Sequence, residues 1–272
     1  VLFIAVDDLR PELGCYGQEH ILSPNIDRLA ASGTVFKRAY CQIAVCGASR
    51  SSLMTGLRPT PERFLNYNTY AEKDAPVATT LPEEFRKNGY QCISNGKIFH
   101  HKDDTGARSW SEPAWRPKIG GATSLDPESK SLIGGTKNRG PVFESPDVPD
   151  NAYPDGQIAE KTIADLKRMK GAEAPFFIAC GFLKPHLPFY APKKYWDLHE
   201  KESINIAKNQ YEPANAPKAL KGSGEILNYH DRHLEYNSSE WHRNNRHGYY
   251  ACVSYVDAQI GKILNTLDEL DL

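Results

Sequence analysis

The sequence lacks three features that would narrow its function at once: a long apolar run, paired cysteines and an excess of charge of one sign. The apolar start, residues 1–6, is far too short to span a bilayer, so we expect no membrane partner. The six cysteines show no C-x-x-C spacing and indicate neither a zinc or redox motif nor a disulfide framework. The 33 basic and 34 acidic side chains give no sign of a nucleic-acid partner, and an anionic substrate would need a local cluster of Lys and Arg.

The two ends of the chain also lack expected features. Residues 1–6 have neither the basic region nor the small-residue cleavage site of a signal peptide, and we interpret them as a buried strand. We therefore expect that any export signal was removed before residue 1. Residues 271–272 follow a helical pattern at a point where an α/β protein would enter its next strand, so we expect the C-terminal part to be missing.

The chain alternates short apolar runs with helical patterns, which indicates βαβ units around a mainly parallel sheet. Two irregular regions, 102–155 and 203–240, predict long loops over this sheet. Ser23 is the predicted N-cap of the first helix. The predicted strands are 2–6, 90–94 and 175–182, and the predicted helices are 23–30, 46–55, 81–87, 157–169 and 246–270.

Asp7 and Asp8 directly follow the first predicted strand. The carboxyl ends of parallel strands are where open α/β sheets place their ligand sites. Two adjacent carboxylates repel each other unless a cation neutralises them, and their oxygens suit Ca²⁺ or Mg²⁺. The alternative is an ordinary solvated turn at the end of a strand.

The sequence C-G-A-S-R at 46–50, followed by T-G at 55–56, is more specific. A half-buried thiol beside a capping serine and a surface arginine would explain each residue separately, but it would not explain their order. The order resembles the signature of the sulfatase family, in which a maturation enzyme oxidises the cysteine, here Cys46, to formylglycine. The resemblance implies an alkaline-phosphatase-like fold, with a mainly parallel sheet sandwiched by helices.

The resemblance also implies why Cys46 would be modified. Cleavage of a sulfate ester needs a strong nucleophile and a route out of the covalent intermediate. A hydrated aldehyde supplies both, because one hydroxyl attacks sulfur and the other later loses its proton and expels sulfate. The N-terminus of the predicted helix and Arg50 would stabilise negative charge there, and Asp7, Asp8 and residue 46 would bind the metal.

Two further motifs, G-K-I-F-H and K-P-H, follow the other two predicted strands and match family positions. By analogy, Lys97 binds the sulfate and the diol, and His100 takes the diol proton. Lys184 and His186 grip the ester, with His186 as the general acid for the leaving alcohol. Each of these residues taken singly could be structural or solvated, but three strands that end in matched groups favour a shared site.

The lysine and histidine of G-K-I-F-H are spaced as K-x-x-H, whereas many sulfatases have K-x-H. The longer spacing resembles the iduronate-2-sulfatase branch and implies a uronate 2-sulfate of a sulfated polysaccharide as substrate. Asn68, in Y-N-T-Y at 67–70, would then line the sugar pocket, although a turn with packed aromatics explains this segment equally well. The family completes its metal site with an Asp-His or Asp-Asn pair and a further lysine after a later strand, and the sequence lacks these.

The sequence therefore predicts residues 1–272 to be the N-terminal catalytic domain of a sulfatase without its small C-terminal domain. Formylglycine and Ca²⁺, or Mg²⁺, are the expected cofactors, and a sulfated sugar and a formylglycine-generating enzyme are the expected partners. The expected location is periplasmic, secreted or lysosomal. Two alternatives stay open: a phosphate or phosphonate ester hydrolase of the same fold, and a non-catalytic fragment that binds sulfated glycans.

Overall fold

The computed structural model describes residues 1–133, 139–217, 220 and 222–272; parts of both predicted loop regions, 134–138, 218–219 and 221, lie outside the described residues. The strands are β1 (Leu2–Val6), β2 (Gln91–Gly96), β3 (Phe143–Glu144), β4 (Phe176–Phe182) and β5 (Phe189–Tyr190). The helices are α1 (Pro24–Ser32), α2 (Cys46–Thr55), α3 (Ala71–Asp74), α4 (Leu81–Lys87), α5 (Gly106–Ser109), α6 (Pro127–Ser131), α7 (Pro154–Met169), α8 (Lys193–Trp196) and α9 (Ser239–Leu270). Short 3₁₀ turns occupy Gly14–Tyr16, Asp150–Ala152, Lys201–Ser203 and Glu225–Asn228.

The main sheet has the strand order β1-β4-β2, and both neighbouring pairs are parallel. Val6 is paired with Phe182, and Gly96 with Gly181, so the carboxyl ends of all three strands lie at one edge. Parallel neighbours need crossover connections, and the helices between these strands supply them. The predicted α/β class and parallel sheet are thus confirmed, and β3 and β5 form a separate parallel pair.

Helices cover both faces of the main sheet. On one face, α7 and α9 pack against β4 through Ile158, Ile178 and Ile260, each at most 3% exposed. On the other face, Met54 of α2 and Phe177 of β4 belong to a second cluster. Each such side chain contributes roughly 1.5–3 kcal/mol by leaving water, so the two faces together hold the sandwich closed.

Two glycines allow the ends of β2 and β4 to approach closely. A Cβ atom on Gly181 would collide with the carbonyl oxygen of Lys97, and one on Gly96 would collide with that of Gly181. Gly96 also has a φ of +77°, a conformation that other residues rarely adopt. The contact fixes where the chain leaves β2, and therefore where Lys97 lies.

One predicted helix start was wrong, and one predicted N-cap was confirmed in position but not in its hydrogen bond. Helix α9 begins at Ser239 rather than 246, because the polar residues at 239–245 conceal a turn whose Trp241 is buried and capped by the Ser238 side chain. Ser23 occupies the N-cap position of α1 but makes no capping hydrogen bond, and its hydroxyl instead contacts Asp27. Periodicity cannot reveal a cap that comes from elsewhere in the chain.

The cap of α1 is supplied by Asp257 in the middle of α9. Its carboxylate accepts hydrogen bonds from the backbone N–H of Asn25, at 3.1 Å, and of Ile26, at 2.8 Å. Tyr255, two residues earlier, accepts from the N–H of Gly156 and so ties α9 to α7. Residues 23–27 and 254–257 therefore hold α1 and α9 together, and Tyr255 also connects α9 to α7.

Among the described residues, no helix is both long enough and apolar enough to cross a membrane.

Replacing Asp257 with alanine should lower the free energy of unfolding by about 2 kcal/mol, because two N–H groups at the start of α1 lose their acceptor. Urea unfolding followed by circular dichroism measures this change. Asp268→Ala is the matched control in the same helix. Its side chain is 72% exposed, and we expect a change within about 0.5 kcal/mol. Equal losses in both variants would contradict the capping role.

Candidate active site

The three strand ends deliver the chemically active side chains to one edge of the sheet. Asp7 follows β1, Lys97 follows β2, and Leu183 and Lys184 follow β4. Helix α2 adds Cys46 and Arg50 beside them. This is the edge at which open α/β sheets carry their ligand sites.

Asp7 lies between two cations. Its Oδ1 is 2.7 Å from Nη2 of Arg50, and its Oδ2 accepts a hydrogen bond from Nζ of Lys97. All three side chains are at most 11% exposed. Burial alone would raise the pKa of Asp7, but the two cations outweigh it and hold that pKa at about 2. The carboxylate is therefore fully ionised at neutral pH.

Arg50 contacts the protein itself with most of its guanidinium. Besides Asp7, it donates to the backbone carbonyls of Lys97 and of Ile98, the latter at 2.9 Å. Arg50 therefore joins α2 to the ends of β1 and β2. The sequence predicted a role for Arg50 in stabilising negative charge, and the structure assigns its hydrogen bonds to the framework of the site.

Cys46 is the first residue of α2, as the sequence predicted. Its Sγ lies 3.2 Å from Nδ1 of His100. Burial raises the pKa of the Cys46 thiol, and burial, followed by the charge of Lys97, lowers the pKa of His100 to about 4. Both groups are uncharged at neutral pH, so the unmodified thiol is a poor nucleophile.

The segment at 66–68 covers the first turn of α2. A Cβ atom at Gly47 would collide with the carbonyl oxygen of Tyr67, so only glycine fits at this position. The Tyr67 ring is edge-on to His100, with centroids 6.4 Å apart. Asn68 is exposed, and its N–H donates to Oδ1 of Asn66 at 2.8 Å.

His186 faces two carboxylates with one ring nitrogen. Its Nδ1 is 2.6 Å from the carbonyl oxygen of Leu187, which places the proton on Nδ1. Its Nε2 lies 3.8 Å from Oδ2 of Asp8 and 3.8 Å from Oε1 of Glu225. The structure therefore brings His186 next to Asp8, one of the two acids that follow β1.

Lys184 directs its ammonium at the protein backbone. It is 1% exposed, and its Nζ donates to the carbonyls of Gly121, at 3.0 Å, of His186, at 3.3 Å, and of Pro188. All three hydrogen-bond donors of the ammonium are thus used by backbone carbonyls, two in the loop after β4 and one at Gly121. The structure thus assigns the ammonium to backbone carbonyls, and the predicted contact with the ester stays a prediction.

The sequence analysis missed Asp155 and Glu225. Asp155, in the first turn of α7, accepts from the N–H of Leu183, at 2.6 Å, and of Lys184, at 3.3 Å, and so holds the exit of β4. Burial raises its pKa to about 6. Asp155 follows Tyr-Pro at the start of a helical pattern, which indicates a residue that caps the helix. The pattern does not indicate that its carboxylate binds the backbone of residues 183–184. Glu225 lies in a region without periodicity and gave no signal.

A divalent metal would find an incomplete ligand set in this part of the chain. Asp7 and Asp8 supply oxygens of the right type, but both oxygens of Asp7 already bind cations of the protein. The described residues contain no group of three or more His, Cys, Asp and Glu that could hold a metal ion. Calcium takes six to eight oxygens, so the described side chains alone do not fit it.

Replacing Asp7 with asparagine should lower the free energy of unfolding by about 3 kcal/mol at neutral pH, because two buried cations lose their partner. The pKa of Asp7 is about 2 in the folded protein and 3.8 ordinarily, so its stabilisation is complete above pH 3.8 and is lost as the pH falls towards 2. The stability of the wild type should therefore fall more steeply than that of the variant in this window. Urea unfolding across this pH range checks both expectations.

Asp8→Asn is the matched control for this measurement, since Asp8 is the adjacent carboxylate with a 56% exposed side chain. We expect it to change the free energy of unfolding by less than about 1 kcal/mol. A loss as large as that of Asp7→Asn would show that the ion pairs of Asp7 are not what stabilises this edge.

Solved structures share the fold of this chain. It superposes on a phosphonate monoester hydrolase of Agrobacterium radiobacter with a TM-score of 0.68 and 21% identity, covering 98% of this chain and 59% of that one. A structure in complex with its substrate, D-glucosamine-2-N,6-O-disulfate, matches with a TM-score of 0.65 and 18% identity, covering 99% and 62%. The predicted alkaline-phosphatase-like fold is confirmed.

Two proteins of known name are more similar to this chain in sequence than these two solved structures are. The human iduronate 2-sulfatase is 37% identical over 297 residues, which cover 100% of this chain and 52% of that protein. A sulfatase of Formosa agariphila is 34% identical over 98% of this chain and 55% of that protein. The chain thus spans about half the length of these relatives. The resemblance to iduronate 2-sulfatase, inferred from the K-x-x-H spacing, is confirmed.

The family model described as Sulfatase matches residues 1–272, the whole chain. Members of that family use a formylglycine and a divalent metal. The matched range includes the C-G-A-S-R segment at 46–50 and the three strand ends described above. By this match and by its identity to the two relatives, the chain belongs to the sulfatase family.

Proposed function

We propose that this protein hydrolyses an O-sulfate ester of a sugar and that its nucleophile derives from Cys46. One observation carries the proposal: the first residue of α2, in the sulfatase signature, lies 3.2 Å from His100 and beside the cluster of Asp7, Lys97 and Arg50. Oxidised to formylglycine and hydrated, residue 46 would supply a geminal diol as the nucleophile.

The surroundings of residue 46 suit an anionic group. Position 46 is at the N-terminus of a ten-residue helix, where free N–H groups and the helix dipole favour negative charge. The ammonium of Lys97 lies near the same point and is held there by Asp7. A sulfate placed here would meet fixed positive charge without any rearrangement of the framework.

Two histidines supply the proton transfers in this proposal. His100 is uncharged at neutral pH, because its pKa is about 4, and its Nδ1 faces position 46, so it can accept a proton there. His186 is 20% exposed and directs Nε2 towards Asp8. In the form that carries protons on both ring nitrogens, it is the group that would protonate the leaving alcohol through Nε2.

Lys184 acts as a positioning residue in this proposal. Its ammonium binds the carbonyls of His186 and Pro188 in the loop after β4 and the carbonyl of Gly121 in another loop, and Asp155 binds the backbone N–H groups of residues 183–184. Together they fix the direction of the His186 ring.

We propose a uronate 2-sulfate as the substrate, on the similarity to human iduronate 2-sulfatase. The Tyr67 ring is edge-on to His100, and Tyr67 and the exposed Asn68 that follows it would contact the sugar. The further partner would be a formylglycine-generating enzyme. The corresponding location is periplasmic, secreted or lysosomal.

A phosphonate or phosphate ester hydrolase is the second candidate. Its support is the superposition on the Agrobacterium radiobacter phosphonate monoester hydrolase. A shared fold does not decide between the two chemistries, because both esters place an anionic group at the same strand ends.

The two candidates are separated by turnover of matched aryl sulfate and aryl phosphate. The whole protein, including any residues beyond 272 that complete the metal site, is produced together with a formylglycine-generating enzyme, and mass spectrometry of the peptide containing residue 46 measures conversion. We expect conversion and faster turnover of the sulfate, with Cys46→Ala reduced to background and Cys41→Ser, at an exposed cysteine, unchanged. Faster turnover of the phosphate, or none by fully converted protein, would overturn the proposed function.

Calcium should bind residues 1–272 only weakly, with a dissociation constant above about 10⁻⁴ M, because two carboxylates fall far short of a full ligand shell. We propose that Asp7, Asp8 and residue 46 contribute to a Ca²⁺ or Mg²⁺ site that needs further ligands. Isothermal titration calorimetry with the metal alone measures the affinity. Tight stoichiometric binding would show that the ligand set is already complete.

A further inference from the structure

The turn after β2 has four successive carbonyl groups that all accept hydrogen bonds from arginines. This turn, residues 97–100, carries both Lys97 and His100. Arg50 donates through Nη1 to the carbonyls of Lys97 and Ile98. Arg116 donates through Nη2 to those of Phe99, at 2.7 Å, and of His100, at 3.0 Å. Two guanidinium groups therefore hold the whole turn.

The turn needs such donors because it is buried and irregular. Ile98 and Phe99 are 1% and 3% exposed, and their carbonyls have left the hydrogen-bond ladder of the sheet. A buried carbonyl without a partner costs about 1–3 kcal/mol, so each half of the turn requires its own donor.

Arg116 reaches the turn through a segment that runs beside β2. The N–H of Trp115 donates to the carbonyl of Ser94 at 2.8 Å, and the N–H of Gly96 donates to that of Trp115 at 2.9 Å. These bonds make 115 a parallel extension of the sheet and place the next residue alongside 99–100. Arg116 belongs to none of the sulfatase motifs in the sequence.

The charged form of Arg116 is destabilised at its position beside the turn. Burial lowers the pKa of Arg116, and the nearby charge of Arg50 adds to this effect. A guanidinium stays charged in proteins, so its burial is tolerated only where its N–H groups are used. In Arg116, the N–H groups of Nη2 donate to the carbonyls of Phe99 and His100.

We propose that Arg116 is a positioning residue that holds His100 against residue 46. It touches neither the nucleophile nor the substrate, and it acts through the backbone of the turn. The inference rests on the proposed function for the role of His100, but the contact that it explains is between His100 and Cys46 in the unmodified protein.

The test uses the unconverted protein, in which all six cysteines are free. Site-resolved mass spectrometry measures the rate at which iodoacetamide alkylates Cys46, and NMR records the ring resonances of His100. Exposed Cys41 serves as a control in the same molecule. Arg86→Ala is the matched control variant, because Arg86 also donates to two successive carbonyls, those of Ala107, at 2.8 Å, and Arg108, at 3.2 Å, away from the site.

In Arg116→Ala we expect displaced His100 resonances and a Cys46 alkylation rate changed by at least about threefold, with Cys41 unaffected. Arg116→Lys, which keeps a cationic donor, should lie closer to the wild type, and added guanidinium ion should partly restore Arg116→Ala. After conversion, Arg116→Ala should lower kcat by about tenfold or more with little change in KM, because a displaced His100 affects the chemical step.

Unchanged His100 resonances and Cys46 rate in Arg116→Ala would overturn the inference, and so would equal changes in Arg86→Ala. If Arg116→Ala does not fold, Arg116→Lys and Arg116→Gln are compared, and wild-type values in both would overturn it. Failure of the proposed function is a separate result: converted wild type would lack sulfatase activity while the Arg116 variants still altered His100 and Cys46.

Discussion

The candidate site depends on one buried carboxylate, Asp7, and its ion pairs with Arg50 and Lys97. The three residues come from the end of β1, the second turn of α2 and the end of β2, so their pairing joins sheet and helix where the chemistry is proposed. Water and salt screen buried charges poorly, which makes these interactions strong. Removing any one partner would leave a buried charge uncompensated, which is more costly than the loss of the pair as a whole.

Buried polar groups elsewhere at this edge of the main sheet are also paired within the protein. Arg50 and Arg116 bind the carbonyls of the turn after β2, and Lys184 binds two carbonyls of the loop after β4 and that of Gly121. Most polar groups here are satisfied by the protein itself. Within this framework, Nδ1 of His100 faces position 46 and Nε2 of His186 faces Asp8. Fixed cations and backbone hydrogen bonds thus determine the orientation of the two histidine rings.

Sequence patterns predicted features that depend on nearby residues. The strand at 2–6, the start of α2 at Cys46 and the parallel sheet are confirmed, since apolar runs, turn residues and helix periodicity are local signals. The start of α9 was predicted wrongly, and Ser23 was predicted correctly as the N-cap residue of α1 although another side chain makes the capping hydrogen bonds. In the second case the capping carboxylate, Asp257, lies more than two hundred residues away from the helix it caps.

The sequence by itself determined which residue types are present at the strand ends: acids after β1, a lysine and a histidine after β2, and the cysteine motif that identifies the family. Only the tertiary structure decided what each of them contacts. Lys184 looked like a free cation in the sequence, yet backbone carbonyls from two loops surround it. Arg116 looked like a loop residue, yet it holds His100. Carbonyl groups are identical in every residue, so a sequence cannot show which of them a side chain will meet once the chain has folded.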